Sequence, residues 1–298
     1  DSLPQCHHRI SQLSVMVNRD WLRNIWHRVS QDLFPAFVSM KSFGVVDSHP
    51  HIVHLDFAQD TFADVYSVIS STVTWLKDLP HEKTIVCFDD VLFIVSRHWS
   101  LTFPESLAHP IHANPWVYHF RNWVLKRLQL DHLRSPFFRS HGSEISVTWV
   151  SRDPTRPGFR AIKNEDELIP QVQAQIEGRG ALIQKIRFED MTFREQLTVA
   201  ATTDVLFGMH GAGLTHILWL PSHAVVLEVL PHDFYYLFYE AVSKVCAIRY
   251  LSFKNDDPKD AIEWTWEPHS KFTNLILRIE KIMPKFHAAI SMLWEEKR

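Results

Sequence analysis

The sequence predicts an α/β protein made of two doubly wound halves, each built on a parallel sheet. Three observations carry that expectation. Short β-like runs alternate with stretches of helical periodicity along most of the chain. A polar break at residues 131–143, containing Pro136 and Gly142, separates an earlier alternation from a clearer later one. The length of 298 residues suits two domains, and the apolar share of 46% supports two cores rather than disorder.

Taken in order, residues 13–17 read as a strand. Asp20 is an N-cap for a helix from Trp21 to about Phe34, with Pro35 near its end. Residues 52–57 read as a strand. Residues 61–76 read as a helix, because Phe62, Val65, Val68, Ile69, Val73 and Leu76 fall near a 3.6 period. Residues 84–88 and 91–95 are strand-like, and Asn114-Pro115 opens a helix with proline in its first position. After the break, residues 145–150 form a strand. Asn164 starts a helix to about Ile176 with a capping-box pattern. Residues 181–188, 224–230 and 248–253 read as strands, with helices expected at 192–201 and 233–245. Residues 255–270 are irregular, and 272–294 are helical with a kink at Pro284.

Composition excludes several classes. A net charge of −3 gives no electrostatic reason for a nucleic-acid partner. No run of 18 apolar residues occurs, so no transmembrane helix is expected. The three cysteines, Cys6, Cys87 and Cys246, lack the paired spacing of a disulfide scaffold or zinc site, while one disulfide plus one thiol stays open. Residue 1 is Asp, which reads as a trimmed part of a longer luminal or cytosolic product.

The most informative stretch is Val205 to His216. A buried strand, Val205–Phe207, runs into three glycines within six residues, in a chain that has only eight. A short helix follows. Strand, glycine turn and helix start offer backbone N–H groups and a positive dipole end to an anion. The bland alternative is an ordinary βα turn. Ser151-Arg152 follows the strand at 145–150, and Arg160 lies in the next loop. Guanidinium groups bind phosphates bidentately, so Arg152, Arg160, His210 and the helix start at Gly211 fit one diphosphate. Singly, each arginine reads rather as a solvated surface charge, and it is their placement near one sheet edge that points to a shared site. Trp264 and Trp266 are candidate ring-stacking residues among eleven tryptophans that mostly serve as core.

Motifs then narrow the reading. Met209 to Pro221 (MHGAGLTHILWLP) with Val225-Val226-Leu227-Glu228 resembles the signature of glycosyltransferase family 61. Ser151-Arg152, Arg160 and Ile162-Lys-Asn-Glu-Asp-Glu-Leu168 resemble two further elements of that family, and Asn24 to Phe37 resembles its Asn-x-x-His…Asp-x-x-Pro-x-Phe element. Finer features, among them Gln59 to Asp64 and Lys271 to Asn274, lean towards the family's protein O-GlcNAc transferases.

The resemblance implies a GT-B fold, with two Rossmann-like domains facing across a cleft. Residues 1–134 would form the acceptor side, 141–270 the nucleotide-sugar domain, and 271–298 a helix returning to the first half. It implies inverting transfer of a sugar, most readily GlcNAc, from a UDP-sugar to a hydroxyl of a protein or glycan in the endoplasmic reticulum or Golgi lumen. Xylosyl or arabinosyl transfer, a non-catalytic glycan- or nucleotide-binding relative, and another diphosphate-nucleotide enzyme are the alternatives. The donor residues would be Ser151, Arg152, Arg160, Met209, His210, Gly211, Ala212 and Gly213, with Glu228 on the ribose hydroxyls. Asp32 would be the base and His27 would orient the reactants. Asp60 and Asp64 are further candidates. No cofactor is required, and a divalent metal is left open, with that last pair as its candidate ligands.

Overall fold

The structure is a computed structural model. It describes residues 5–19, 24–56, 62–80, 84–94, 114–134, 144–153, 155, 160–232, 234, 236–262 and 273–295. Asp20, Asp60, Trp264 and Trp266 lie outside the described residues. The chain divides into two compact units.

The first unit holds β1 (His8–Ile10), β2 (Ser14–Val17), α1 (Ile25–His27), α2 (Phe34–Ser42), β3 (His51–His54), β4 (Val73–Trp75), β5 (Val86–Phe88) and β6 (Val91–Ile94). Its main sheet is parallel throughout, in the order β4-β3-β2-β6. β1 and β5 pair separately, and a disulfide joins Cys6 to Cys87. The first helix begins where the Asn24 side chain accepts from the Trp26 N–H. It does not end at Pro35. A π-helical stretch, Arg28–Leu33, connects α1 to α2, and the Phe34 N–H reaches back five residues to the Val29 carbonyl. The widened turn takes up the hydrogen-bond break that proline would otherwise force.

The helix expected over 61–76 is the largest misreading. The chain makes a 3-10 turn, Ala63–Val68, and then strand β4. The Ser70 hydroxyl accepts from the Thr72 N–H and turns the chain, and the β-branched run Thr72 to Thr74 with Trp75 favours a strand over a helix.

α3 (Pro115–Arg127) is divided between the units by its contacts, residues 122–128 grouping with the first. The second unit continues with β7 (Ile145–Val150), α4 (Glu165–Ile176), β8 (Ala181–Ile186), α5 (Phe193–Ala201), β9 (Val205–Met209), β10 (Val225–Leu230), α6 (Phe238–Val245), β11 (Arg249–Lys254), β12 (Ala261–Ile262), β13 (Asn274–Leu275) and α7 (Ile279–Glu295). Five strands form a parallel sheet in the order β11-β10-β9-β7-β8. Every residue of β9 and β10 is buried, as expected of strands covered on both faces. The core on one face gathers Trp149, Phe207, Val172 of α4 and Phe286, Ile290 and Leu293 of α7. Where the sequence reading has the last helix crossing to the first half, α7 joins this second core.

Two local expectations differ in their physics. Thr192 and Glu195 do form a capping box at α5. Asn164 does not cap α4. Its amide donates to the Leu277 carbonyl and accepts from the Leu277 N–H, both at 2.9 Å, tying the chain after β13 to the start of α4. Asn164→Ala should therefore lower stability by roughly 1–3 kcal/mol in chemical denaturation, since it strands two backbone groups. A loss within about 0.3 kcal/mol would contradict this assignment.

Each unit also buries a histidine completely. Burial pushes His54 and His216 down to about 3, so both are neutral at pH 7. An unfolded chain binds protons at these residues below about pH 6.5 and the folded chain does not, so stability must fall as pH drops from 6.5 towards 3. Each histidine contributes up to about 1.4 kcal/mol per pH unit. The double variant His54→Phe/His216→Phe should show a shallower decline between pH 6.5 and 4.5 than the parent, and equal slopes would refute it.

Candidate functional site

The strand order of the second unit locates a site before any side chain is considered. β8 lies outward of β7, whereas β10 and β11 lie beyond β9. The chain therefore departs in opposite directions from the adjacent strands β7 and β9. In open α/β sheets ligands bind at such a switch point, beyond the carboxyl ends of the strands. The residues leaving β7 are Ser151 and Arg152, and those leaving β9 are His210 to Gly213.

Gly211 and Arg152 fit each other closely. Gly211 has φ +154 and ψ 179, a region open essentially to glycine. A Cβ there would run into the Arg152 guanidinium, with the Cζ only 2.7 Å away. The glycine therefore makes room for an arginine as well as for a turn. Gly213 has a different reason, because a Cβ there would sit 2.9 Å from Cγ1 of Val150 and crowd the end of β7. The 3-10 helix Ala212–Trp219 then begins with its first N–H groups at the switch point.

Arg160 joins Arg152. Its backbone is left-handed, φ +60, which is strained for a residue with a side chain. The strain is held from behind. The Asn274 side chain accepts from the Ala161 N–H at 2.9 Å, and the β13 backbone brackets Ala161 and Lys163 at 2.9 and 2.8 Å. The Arg160 Nε is buried and has no hydrogen-bond partner among the described residues. Burial lowers the affinity of both guanidiniums for their protons, and the neighbouring Arg160 pushes Arg152 further, to about 10. Both remain cationic at neutral pH. Two desolvated like charges at a helix start form a site complementary to a polyvalent anion.

Across β9 and β10 a second network forms. Glu228 is fully buried in the middle of β10. Its Oε1 meets His210 Nδ1 at 2.5 Å and its Oε2 accepts from the Tyr250 hydroxyl at 2.6 Å. A carboxylate can only accept, so Nδ1 carries a proton and the ring orientation is fixed. His210, 6% exposed, lies among the rings of Phe234, Tyr239 and Tyr236, with centroids at 4.7, 5.1 and 5.8 Å. Burial, then Glu228, raises the Tyr239 phenol pKa, and both arginines oppose the shift, which places this ring electrically between the two networks.

Several expected donor residues have framework partners. Glu228 has one oxygen engaged by His210 and the other by Tyr250, and through the first it orients the histidine. The Ser151 hydroxyl donates to Glu165, which also accepts from Trp149 Nε1 at 3.1 Å and pairs with Lys185 at 2.8 Å. Met209 points into the core. Ala212 is half-buried in the first turn of the 3-10 helix. Glu165, Tyr239, Tyr250 and Asn274 are the residues that sequence reasoning missed. Glu165 and Asn274 stood in the sequence only inside family-like runs and a capping pattern, with no role assigned to either.

In the first unit, Asp32 is buried in a closed triangle. Its Oδ2 pairs with Arg28 Nη1 at 2.6 Å and accepts from the Tyr66 hydroxyl at 2.7 Å, while Arg28 donates to Tyr66 at 3.0 Å. That carboxylate is held inside the unit, a poor place for an exchangeable base. His27 is half-buried, and its Nδ1 meets Gln31 Oε1 at 2.8 Å. Asp64 is exposed in the first turn of the 3-10 segment after residue 62. Among the described residues no group of three or more His, Cys, Asp or Glu is placed to hold a metal ion. No described helix is long and apolar enough to cross a membrane.

Gly211→Ala should displace the Arg152 guanidinium while leaving the sheet intact. Pyrophosphate affinity should fall about tenfold or more, the worth of one charged hydrogen bond, with an unchanged circular dichroism spectrum. Unaltered affinity would reduce the stretch to a structural turn.

The family model for Glycosyltransferase 61 matches residues 26–227. The EGF domain-specific O-linked N-acetylglucosamine transferase of Drosophila melanogaster is 26% identical over 280 residues, which are 87% of this chain and 49% of the relative. The Xenopus laevis protein of the same name is 27% identical over 231 residues, 75% of this chain and 42% of the relative. The chain thus spans about half the length of the curated relatives it matches. A solved family 9 glycosyl transferase from Veillonella parvula aligns over 97% of this chain and 98% of its own at 10% identity, with a TM-score of 0.36, too slight a likeness to argue from. The match to more than half of the sequence, over both units, makes this chain a member of glycosyltransferase family 61.

Proposed function

We propose that the second unit binds the diphosphate of a UDP-sugar and that the chain transfers the sugar, most readily GlcNAc, with inversion to a hydroxyl of a protein or glycan acceptor. The observation that carries this is the pair of desolvated arginines at the switch point, with the Arg160 Nε unpartnered among the described residues. The matched relatives are named for transfer of O-linked N-acetylglucosamine to EGF domains. The Cys6–Cys87 disulfide fits an oxidising compartment such as the endoplasmic reticulum or Golgi lumen.

In this reading the acceptor oxygen attacks the anomeric carbon from the face opposite UDP. The bond from that carbon to the phosphate oxygen breaks, and the electron pair leaves with UDP. Arg152, Arg160 and the N–H groups starting at Ala212 hold the charge that develops there. His210, its Nδ1–H donated to Glu228, is held beside the same turn as a further polar group for the donor. The acceptor proton needs a base. Because Asp32 is buried against Arg28 and Tyr66, we assign that role to His27 instead of Asp32. Gln31 Oε1 can only accept, so His27 Nδ1 carries the proton and Nε2 is the basic nitrogen. Asp32 positions the helix that carries it.

The test has two arms. In calorimetry Arg152→Ala and Arg160→Ala should each weaken UDP binding about tenfold or more. His27→Ala should keep UDP affinity and lose transfer by about 10²–10⁴, measured across UDP-GlcNAc, UDP-xylose and UDP-arabinose. Normal UDP binding by both arginine variants would overturn the donor site. Normal turnover of the histidine variant would return the base to another residue.

A further inference from the structure

Beside His210 lies an aromatic surface that a diphosphate site has no use for. The chain between β10 and α6 carries Phe234, Tyr236 and Leu237, and Phe238 opens α6. Tyr236 is 45% exposed and Leu237 41% exposed, although their neighbours His210 and Tyr239 are buried. The Tyr236 and Phe238 rings lie parallel, 3° apart in plane with centroids at 5.6 Å, and Phe234 meets Tyr236 at 6.0 Å. Tyr236 in turn meets the His210 ring edgewise at 5.8 Å. A supported aromatic ring is thus held open to solvent beside His210, whose other ring neighbour Tyr239 is electrostatically coupled to Arg152 and Arg160.

Solvent-exposed aromatic faces are costly unless something covers them, and the natural cover for a ring beside an anion site is another flat ring attached to the anion. The connection follows β10, the neighbour of β9, so it leaves the sheet at the same carboxyl edge as the glycine turn. Phe238 backs Tyr236 and Phe234 flanks it, which limits the ring's freedom and lowers the entropic cost of stacking a ligand on it. We propose that Tyr236 is the stacking platform for the nucleobase of the donor, and so a determinant of nucleotide affinity. This rests on the donor site proposed above, since the base reaches Tyr236 only if the diphosphate lies at Arg152 and Arg160.

Calorimetry with inorganic pyrophosphate, UDP and UDP-GlcNAc separates the two. The parent protein should bind UDP more tightly than pyrophosphate. Tyr236→Ala should lose about tenfold in UDP affinity, the usual worth of one stacked base, and keep its pyrophosphate affinity. Restoring the ring in Tyr236→Phe should recover UDP binding. Retention of UDP affinity in the alanine variant overturns the platform, and so does an equal loss for pyrophosphate. A loss confined to UDP-GlcNAc overturns it too, because the ring then serves the sugar. If the parent binds pyrophosphate and UDP equally, the platform fails while the anion site stands. If it binds neither, the donor site fails first.

Discussion

A carboxylate sits where a parallel sheet least tolerates one, in the middle of a strand buried on all six residues. Glu228 is held there by His210 on one side and Tyr250 on the other. An unpaired carboxylate at that depth would cost several kcal/mol, so the three residues are bound to each other by desolvation. The register does the placing. Glu228 lies opposite Gly208 of β9 and Ser252 of β11, and the His210 N–H bonds the Val229 carbonyl at 2.8 Å. The histidine ring is thereby fixed at the mouth of the turn that carries Gly211, and the turn in turn shapes the seat of Arg152.

The cationic half of the site is assembled from the opposite direction. β7 delivers Arg152, and the strained loop before α4 delivers Arg160. Asn274 and the β13 backbone hold that loop. Two partly buried guanidiniums gain from an anion what they lose to each other. The same logic separates the two carboxylates of interest. Glu228 sits among hydrogen-bond donors that orient it as a support. Asp32 is spent on Arg28 and Tyr66, which locks the π-helical stretch of the first unit.

The second unit was the more legible in the sequence. Its central strands β9 and β10 are almost wholly apolar runs, and α5 starts at a true capping box, so the alternation there is plain. Arg152, His210 and Gly211 were found because three glycines crowd one strand end and an arginine follows another. The helix misread over 61–76 shows the limit. Val65, Val68, Ile69 and Val73 satisfy a helical period by chance, while the Ser70 turn and the β-branched run after it favour a 3-10 turn followed by a strand. The roles of Glu228, Glu165 and Tyr239 were not legible because they depend on register and strand order. The acid in β10 finds its partner eighteen residues back only because β9 and β10 are adjacent. Arg160 was named from a motif, but nothing in a sequence reports a left-handed backbone or an unpartnered Nε.

The central claim is that Arg152 and Arg160 form one seat for a diphosphate at the β7–β9 switch point. A crystal structure with UDP bound tests it most directly. The account predicts phosphate oxygens within about 3 Å of both guanidiniums and of backbone N–H groups at the start of the 3-10 helix, with the Arg160 Nε donating to one of them. A diphosphate seated elsewhere, with Arg160 still turned into the protein and making no contact with it, would contradict the account.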